Sequence, residues 1–321
     1  MPLSRRHLFQ SAAALAALET GMAAAYAAAP LSKAQAPGFY RYTIGELELT
    51  AIHDGFYSRP LDGLVTNMPL KTVQDAAATL FMPTDRLIIP FTTTVINTGS
   101  RLAIIDTGNG NSGAVTSSQW LTNFRAAGFT PEQVDTVILS HFHGDHINGL
   151  RLKDGTAVFP NAEIMVPAAE WAYWMDDAKM AAAPDGQKGG FANVRRVFGP
   201  MAKDVKQYAP ERELVTGLTA VTATGHTPGH TAFAVTSGTG RLLLLSDTSN
   251  HPALFVRNPD WHGAFDMDAE TARNTRRGLL ELAVSERMQV AFYHAPFPAT
   301  GFIARSGSGY EFVPQAWSSA V

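Results

Sequence analysis

The tightest constraint on this chain is the segment Ser140-His141-Phe142-His143-Gly144-Asp145-His146, which places four potential metal ligands within six residues. It follows residues 134–139, which read as a short buried strand. A loop at the end of such a strand is held rigidly. His141 and His143, two apart, point the same way and converge on one ion, while Asp145 and His146 on the next turn face a second ion beside it. Imidazole and carboxylate are what zinc and related divalent ions take when no thiolate is available, and the chain has no cysteine. That absence also removes disulfides, a cysteine nucleophile and iron–sulfur clusters from consideration.

Three later groups complete the constellation. His230 lies in Gly225-His226-Thr227-Pro228-Gly229-His230-Thr231, a turn between two β-rich runs; Asp247 follows the leucine-rich run 241–246; His294 follows 289–293. Taken singly, they read as a turn residue, a helix cap and a core histidine. Taken with the first cluster, their positions at strand ends favour ligation, because strands aim side chains at a common point.

The rest of the chain alternates strands and helices in both halves. Strands are expected near 37–50, 92–97, 101–106, 163–166, 218–224 and 231–236, with Asn97-Thr98-Gly99-Ser100 as a hairpin turn. Helices are expected over 117–127, from Pro131, over 167–175 and over 269–286, the last with an apolar stripe of Leu279, Leu280, Leu282 and Ala283. No linker interrupts this pattern, which predicts an α/β four-layer αββα sandwich in a single domain over residues 37–321.

Residues 1–36 read differently. Arg5-Arg6 precedes alanine-rich apolar runs at 12–18 and 23–29, the pattern of a Tat-type signal peptide and short linker. The mature protein is then expected in the periplasm or secreted, with no membrane association. Lys+Arg 25 against Asp+Glu 28 leaves a net charge of −3, which gives no electrostatic footprint for nucleic acid. The aromatic content permits a homodimer.

These motifs resemble the metallo-β-lactamase-fold hydrolases, over nearly all of the expected mature chain. The similarity is greatest to the exported methyl parathion hydrolase-like and lactonase group. It is carried by Phe39-Tyr40-Arg41-Tyr42-Thr43-Ile44-Gly45, by Ala51-Ile52-His53-Asp54-Gly55, by the segment from His251 to Asp268, and by His294-Ala295-Pro296-Phe297-Pro298. The resemblance implies that His141, His143 and His230 hold one ion, that Asp145, His146 and His294 hold another, and that Asp247 bridges them. With that set full, His226 reads as a turn histidine. Asp106, which ends a strand, could orient a ligand histidine. The resemblance also points to an aromatic pocket, for which Trp174, Phe191 and Phe265 are the candidates.

Two adjacent divalent ions, zinc being expected and manganese, cobalt or iron compatible, share a water and lower its pKa toward neutrality. The expected reaction is hydroxide attack that opens lactones or cleaves aryl esters, with phosphotriesters of the methyl parathion type as further substrates. Asp145 and Asp247 are the expected catalytic carboxylates, and Asp145 could pass a proton to the leaving group. Small neutral substrates are expected, because no Arg/Lys clamp is evident. The competing readings are a dedicated organophosphate hydrolase, a β-lactamase, an iron oxygenase and a non-catalytic periplasmic carrier of the same fold.

Overall fold

Two sheets are built from strands that follow one another in chain order. The first contains β1 (Phe39–Ile44), β2 (Leu47–Pro60), β3 (Arg86–Asn97), β4 (Leu102–Ile105), β5 (Thr136–Ile138), β6 (Glu163–Pro167) and β7 (Lys206–Tyr208), in that spatial order. β1 to β4 pair antiparallel, whereas β4 to β7 run parallel. The second contains β8 (Glu213–Val215), β9 (Leu218–Thr222), β10 (Thr231–Ser237), β11 (Gly240–Leu244), β12 (Gln289–Ala291), β13 (Thr300–Ser306) and β14 (Gly309–Pro314), again sequential. Only β11 and β12 pair parallel there; the other pairs are antiparallel. The computed structural model describes residues 31–321, and Pro37–Val321 form one compact unit. The leader expected over residues 1–36 lies largely outside the described residues.

Side-chain alternation explains the layering. Leu242 and Leu244 of β11 enter the core between the sheets with Tyr42, Leu49 and Phe233, while Leu243 and the adjacent Leu245 pack outward against Leu279, Leu280 and Ala283. A strand covered on both faces has to be apolar at every position, which is why this run is nearly all leucine. On the far side, the first sheet is covered by Trp120 and Phe124 of the helix Trp120–Ala126 and by Phe191, Val194 and Phe198 of the helix Asp185–Phe198. The result is the four-layer αββα arrangement expected from the sequence.

Several local expectations change. The segment from Pro131 closes after one 3₁₀ turn, Pro131–Gln133, because Val134 returns to extended backbone at the entry to β5. Phe191, a candidate for the aromatic pocket, lies in the helix Asp185–Phe198. That helix carries Gly186, Gly189 and Gly190, each weakening its intrinsic preference. It forms because Phe191, Val194 and Phe198 share a buried face.

Phe233, fully buried between the sheets, tests this packing. Phe233→Ala is expected to cost about 3–5 kcal/mol, read as a lower urea midpoint with an unchanged slope.

Candidate metal centre

The parallel strand pairs converge their C-terminal ends on one place, the location where open α/β sheets present ligand groups. Leu244 of β11 is in register with Ala291 of β12. Three residues beyond each, Asp247 and His294 therefore meet, with Oδ2 of Asp247 3.0 Å from Nε2 of His294. In the first sheet Ile105 of β4 pairs with Ile138 of β5, which brings Asp106 beside the loop of His141 to His146.

Two groups of ligand atoms result. His141, His143, His226 and Asp247 form one, and Asp145, His146, Asp247 and His294 form the other; within each, the atoms lie within 4.8 Å of one another. Asp247 belongs to both. Its Oδ2 lies 3.3 Å from His226 Nε2 and 3.9 Å from His141 Nε2, and its Oδ1 lies 3.2 Å from His146 Nε2. Oδ2 of Asp145 is 3.4 Å from His146 Nε2 and 3.6 Å from His294 Nε2.

One sequence expectation is corrected here. His230 does not join either group, and His226 takes the place expected for it. The His230 ring is buried, with Nδ1 2.7 Å from the Ala223 carbonyl oxygen and Nε2 accepting from the Asp247 amide at 3.0 Å. Both ring nitrogens are thereby used, so His230 positions the backbone of Asp247. His226 leaves the turn with Nε2 3.0 Å from Nδ1 of His143. The other six expected ligands, His141, His143, Asp145, His146, Asp247 and His294, are brought together.

The chemistry of these atoms fits a pair of cations. Nε2 of His141, Nε2 of His146 and Oδ1 of Asp247 are buried without a hydrogen-bond partner, and leaving such groups unmatched is costly. Meanwhile the opposite ring nitrogens are held. Asp106 Oδ2 lies 2.8 Å from His146 Nδ1 and accepts from Ser140 Oγ at 2.8 Å, and that hydroxyl is 3.0 Å from His141 Nδ1. One carboxylate thus supports a histidine of each group, the orienting role expected for it. His294 Nδ1 lies 2.9 Å from the Pro90 carbonyl oxygen.

Charge is distributed unevenly over the cluster. Burial and the nearby His226 hold His143 down at about 3, and burial with His146 holds His141 well below its ordinary value. Burial works against the charged forms of His226 and His146 too, but carboxylates overcome it. Asp247 and Asp266 lift His226 to about 9, and Asp247, Asp145 and Asp106 hold His146 well above its ordinary value. His294 is raised by Asp247 against the same burial. Asp145, despite burial, is drawn down to about 2 by His146 and His294.

Glu170 is a positioning residue with no sequence signal. Buried in the helix Ala168–Trp174, it accepts from the amides of Phe142 at 3.0 Å and Gly229 at 2.7 Å, and from the Trp174 indole at 2.8 Å. It ties the first ligand loop to the turn that carries His226. Tyr293 acts similarly: its hydroxyl donates to the Asp145 carbonyl oxygen at 2.5 Å and its ring packs against His146.

The ligand groups face a cleft of about 360 Å³, whose lining includes the apolar Tyr57, Ile89, Phe91 and Phe265 and the amides Asn109 and Asn148. Phe265 lines it, as expected. Trp174 and Phe191 do not; both are buried 4.7 Å apart behind His143, where Trp174 meets that ring edge-on at 6.5 Å. Among the described residues lining this cleft there is no lysine or arginine.

With fold and cluster in place, the class is that of a two-sheet scaffold carrying a His/Asp cation site at its strand ends. The sequence profile of the metallo-β-lactamase superfamily matches residues 92–290, and the chain belongs to that superfamily. It is 26% identical to the N-acyl homoserine lactonase AttM of Agrobacterium fabrum over 175 residues, 48% of this chain and 59% of that one. It is also 26% identical to an N-acyl homoserine lactonase of Bacillus cereus over 178 residues, 54% of this chain and 61% of that one. The chain thus spans about three fifths of the length of these curated relatives. Among solved structures, the hydrolase AbOPH of the β-lactamase superfamily superposes with a TM-score of 0.83 at 25% identity, covering 89% of this chain and all (100%) of that one. The dizinc quorum-quenching lactonase AidC shares the fold with a TM-score of 0.83 at 24% identity, covering 88% and 99%.

Two outcomes are expected. His226→Ala weakens uptake of one ion per chain by more than tenfold in a zinc titration, whereas His230→Ala keeps all seven ligand side chains and acts mainly on stability. Cations must also displace protons from His146, His226 and His294. Affinity therefore falls as pH drops below about 9, the value for His226, with proton release measurable by calorimetry in buffers of different ionisation enthalpy.

Proposed function

We propose that this chain is a dinuclear-metal hydrolase that opens lactones and cleaves aryl esters, with neutral phosphotriesters as secondary substrates. One observation carries the reading. Asp247 is shared between two ligand groups at the floor of a cleft whose described lining has no cationic side chain. A pair of divalent ions bound there supplies a water of lowered pKa and polarises a carbonyl or phosphoryl oxygen. Zinc suits the imidazole and carboxylate donors, as do manganese, cobalt and iron.

The chain's own groups supply the rest. Tyr57, Ile89, Phe91 and Phe265 present an apolar wall that packs an acyl or aryl group and excludes water. Asn109, also in the lining, is fixed by Asp54, whose Oδ2 accepts from its backbone amide and its side-chain nitrogen at 2.7 and 2.8 Å. Asp145 lines the cleft, and its carboxylate, about one quarter exposed, is placed to take a proton from the attacking water and return it to the leaving oxygen. The absence of cationic side chains from the described lining supports neutral substrates over phosphodiesters. The lactonase relatives support a lactone as first choice. Export through the Tat route remains part of the proposal and rests on Arg5-Arg6 and the alanine-rich run that follows.

The test is a substrate panel with zinc-loaded protein: N-hexanoyl homoserine lactone, dihydrocoumarin, a nitrophenyl ester, methyl parathion and nitrocefin. Turnover of the lactones and the ester is expected to exceed that of nitrocefin. Asp247→Ala is expected to lower kcat by roughly 10²-fold or more with the far-UV spectrum unchanged. Nitrocefin as the preferred substrate would overturn the assignment, as would failure on all five.

A further inference from the structure

His226 is gripped from both its backbone and its ring. Met267 N donates to the His226 carbonyl oxygen at 3.0 Å, and Asp268 N to that of Gly225 at 2.9 Å. The ring nitrogen Nδ1 lies 2.9 Å from Oδ1 of Asp266. The other oxygen of Asp266 accepts from Nη2 of Arg276 at 3.2 Å.

Arg276 sits on the helix Ala269–Ser285 and is completely buried. Its Nε and Nη1 donate to three backbone carbonyls, those of Thr248 at 2.9 Å, Pro259 at 2.9 Å and Trp261 at 2.7 Å. A buried guanidinium tolerates its position only when paired and hydrogen-bonded in this way. The loop that carries Asp266 is therefore pinned to the helix, and Phe265 of the cleft wall is part of the same loop. The helix can approach this closely because Gly225, at φ +122°, has no side chain; a Cβ there would lie 2.2 Å from the Ala272 amide nitrogen.

The supports of the two ligand groups differ. Asp106 serves His146 directly and His141 through Ser140, so it acts on both groups, while His294 leans on a carbonyl oxygen. Asp266 contacts a histidine of the first group only. Holding Nδ1 leaves Nε2 as the free donor atom, and Nε2 is the atom that faces His143 and Asp247.

We propose that Asp266, braced by Arg276, is a positioning residue that sets the occupancy of the cation position formed by His141, His143, His226 and Asp247, and of that position alone. The inference rests on the metal reading above. A carboxylate that accepts from a ligand imidazole fixes its tautomer and raises its basicity, and losing such a partner typically weakens metal binding by about 10–100-fold.

The experiment titrates metal-free wild type, Asp266→Ala and Asp266→Asn with zinc against a chromophoric chelator, and records the visible spectrum with cobalt. Wild type is expected to take two ions. Asp266→Ala should keep one at wild-type affinity and bind the other about 10–100-fold more weakly. Asp266→Asn, whose side-chain oxygen can still accept from Nδ1, should fall between and perturb one cobalt signature. Unchanged affinities at both positions, or an equal loss at both, would overturn the inference. If Asp266→Ala fails to fold, Asp266→Asn decides, and an unaltered affinity and cobalt spectrum in that variant refutes the positioning role. Wild type that binds no ion overturns the metal reading itself, an outcome distinguishable because it appears without any substitution.

Discussion

The structure depends on one shared carboxylate. Asp247 is buried, and its carboxylate reaches histidines of both groups, Oδ2 facing His141, His226 and His294 and Oδ1 facing His146. A carboxylate in that environment is unfavourable unless positive charge or donors surround it. Here they come from strand ends that are distant in sequence, so the site exists only when both sheets are assembled. The parallel register of β11 with β12 places Asp247 against His294. The parallel register of β4 with β5 places Asp106 beneath the loop that presents His141 and His146. Packing of the apolar strands thus supplies the rigidity that holds like and unlike charges a few ångströms apart.

Supporting groups extend that rigidity outward. Glu170 links the first ligand loop to the turn after β9, His230 holds the amide of Asp247, and Asp266 holds the ring of His226. Each makes a hydrogen bond to a ligand residue or to the backbone of a loop that carries one. The hydrolytic role proposed for this site would require such support, because an error of about 1 Å in placing a reacting group can cost 10²-fold in rate.

Much of this was legible in the sequence because it is local. The spacing of His141, His143, Asp145 and His146 behind an apolar strand, and the strand-end positions of Asp247 and His294, announce ligation without any coordinates. The leucine run of β11 gave the two-sided burial, and alternation gave most strands. The choice between His226 and His230 was not legible. Both occupy the same turn, and they are separated by contacts with residues before and beyond it, the Ala223 backbone and the Asp247 amide, which engage His230. Asp266, Arg276 and Glu170 were invisible for a similar reason: they act across gaps of 10 to 59 residues and follow no periodic pattern. The helix Asp185–Phe198, rich in glycine, and with it the burial of Phe191, is decided by tertiary contact rather than by local preference.

The central claim is that two cations sit side by side with Asp247 between them. Anomalous diffraction at the zinc edge from crystals of the loaded protein tests it directly. Two peaks are expected near the Asp247 carboxylate, one beside His226 and the other beside His294. A single peak, or a peak beside the ring of His230, would contradict it.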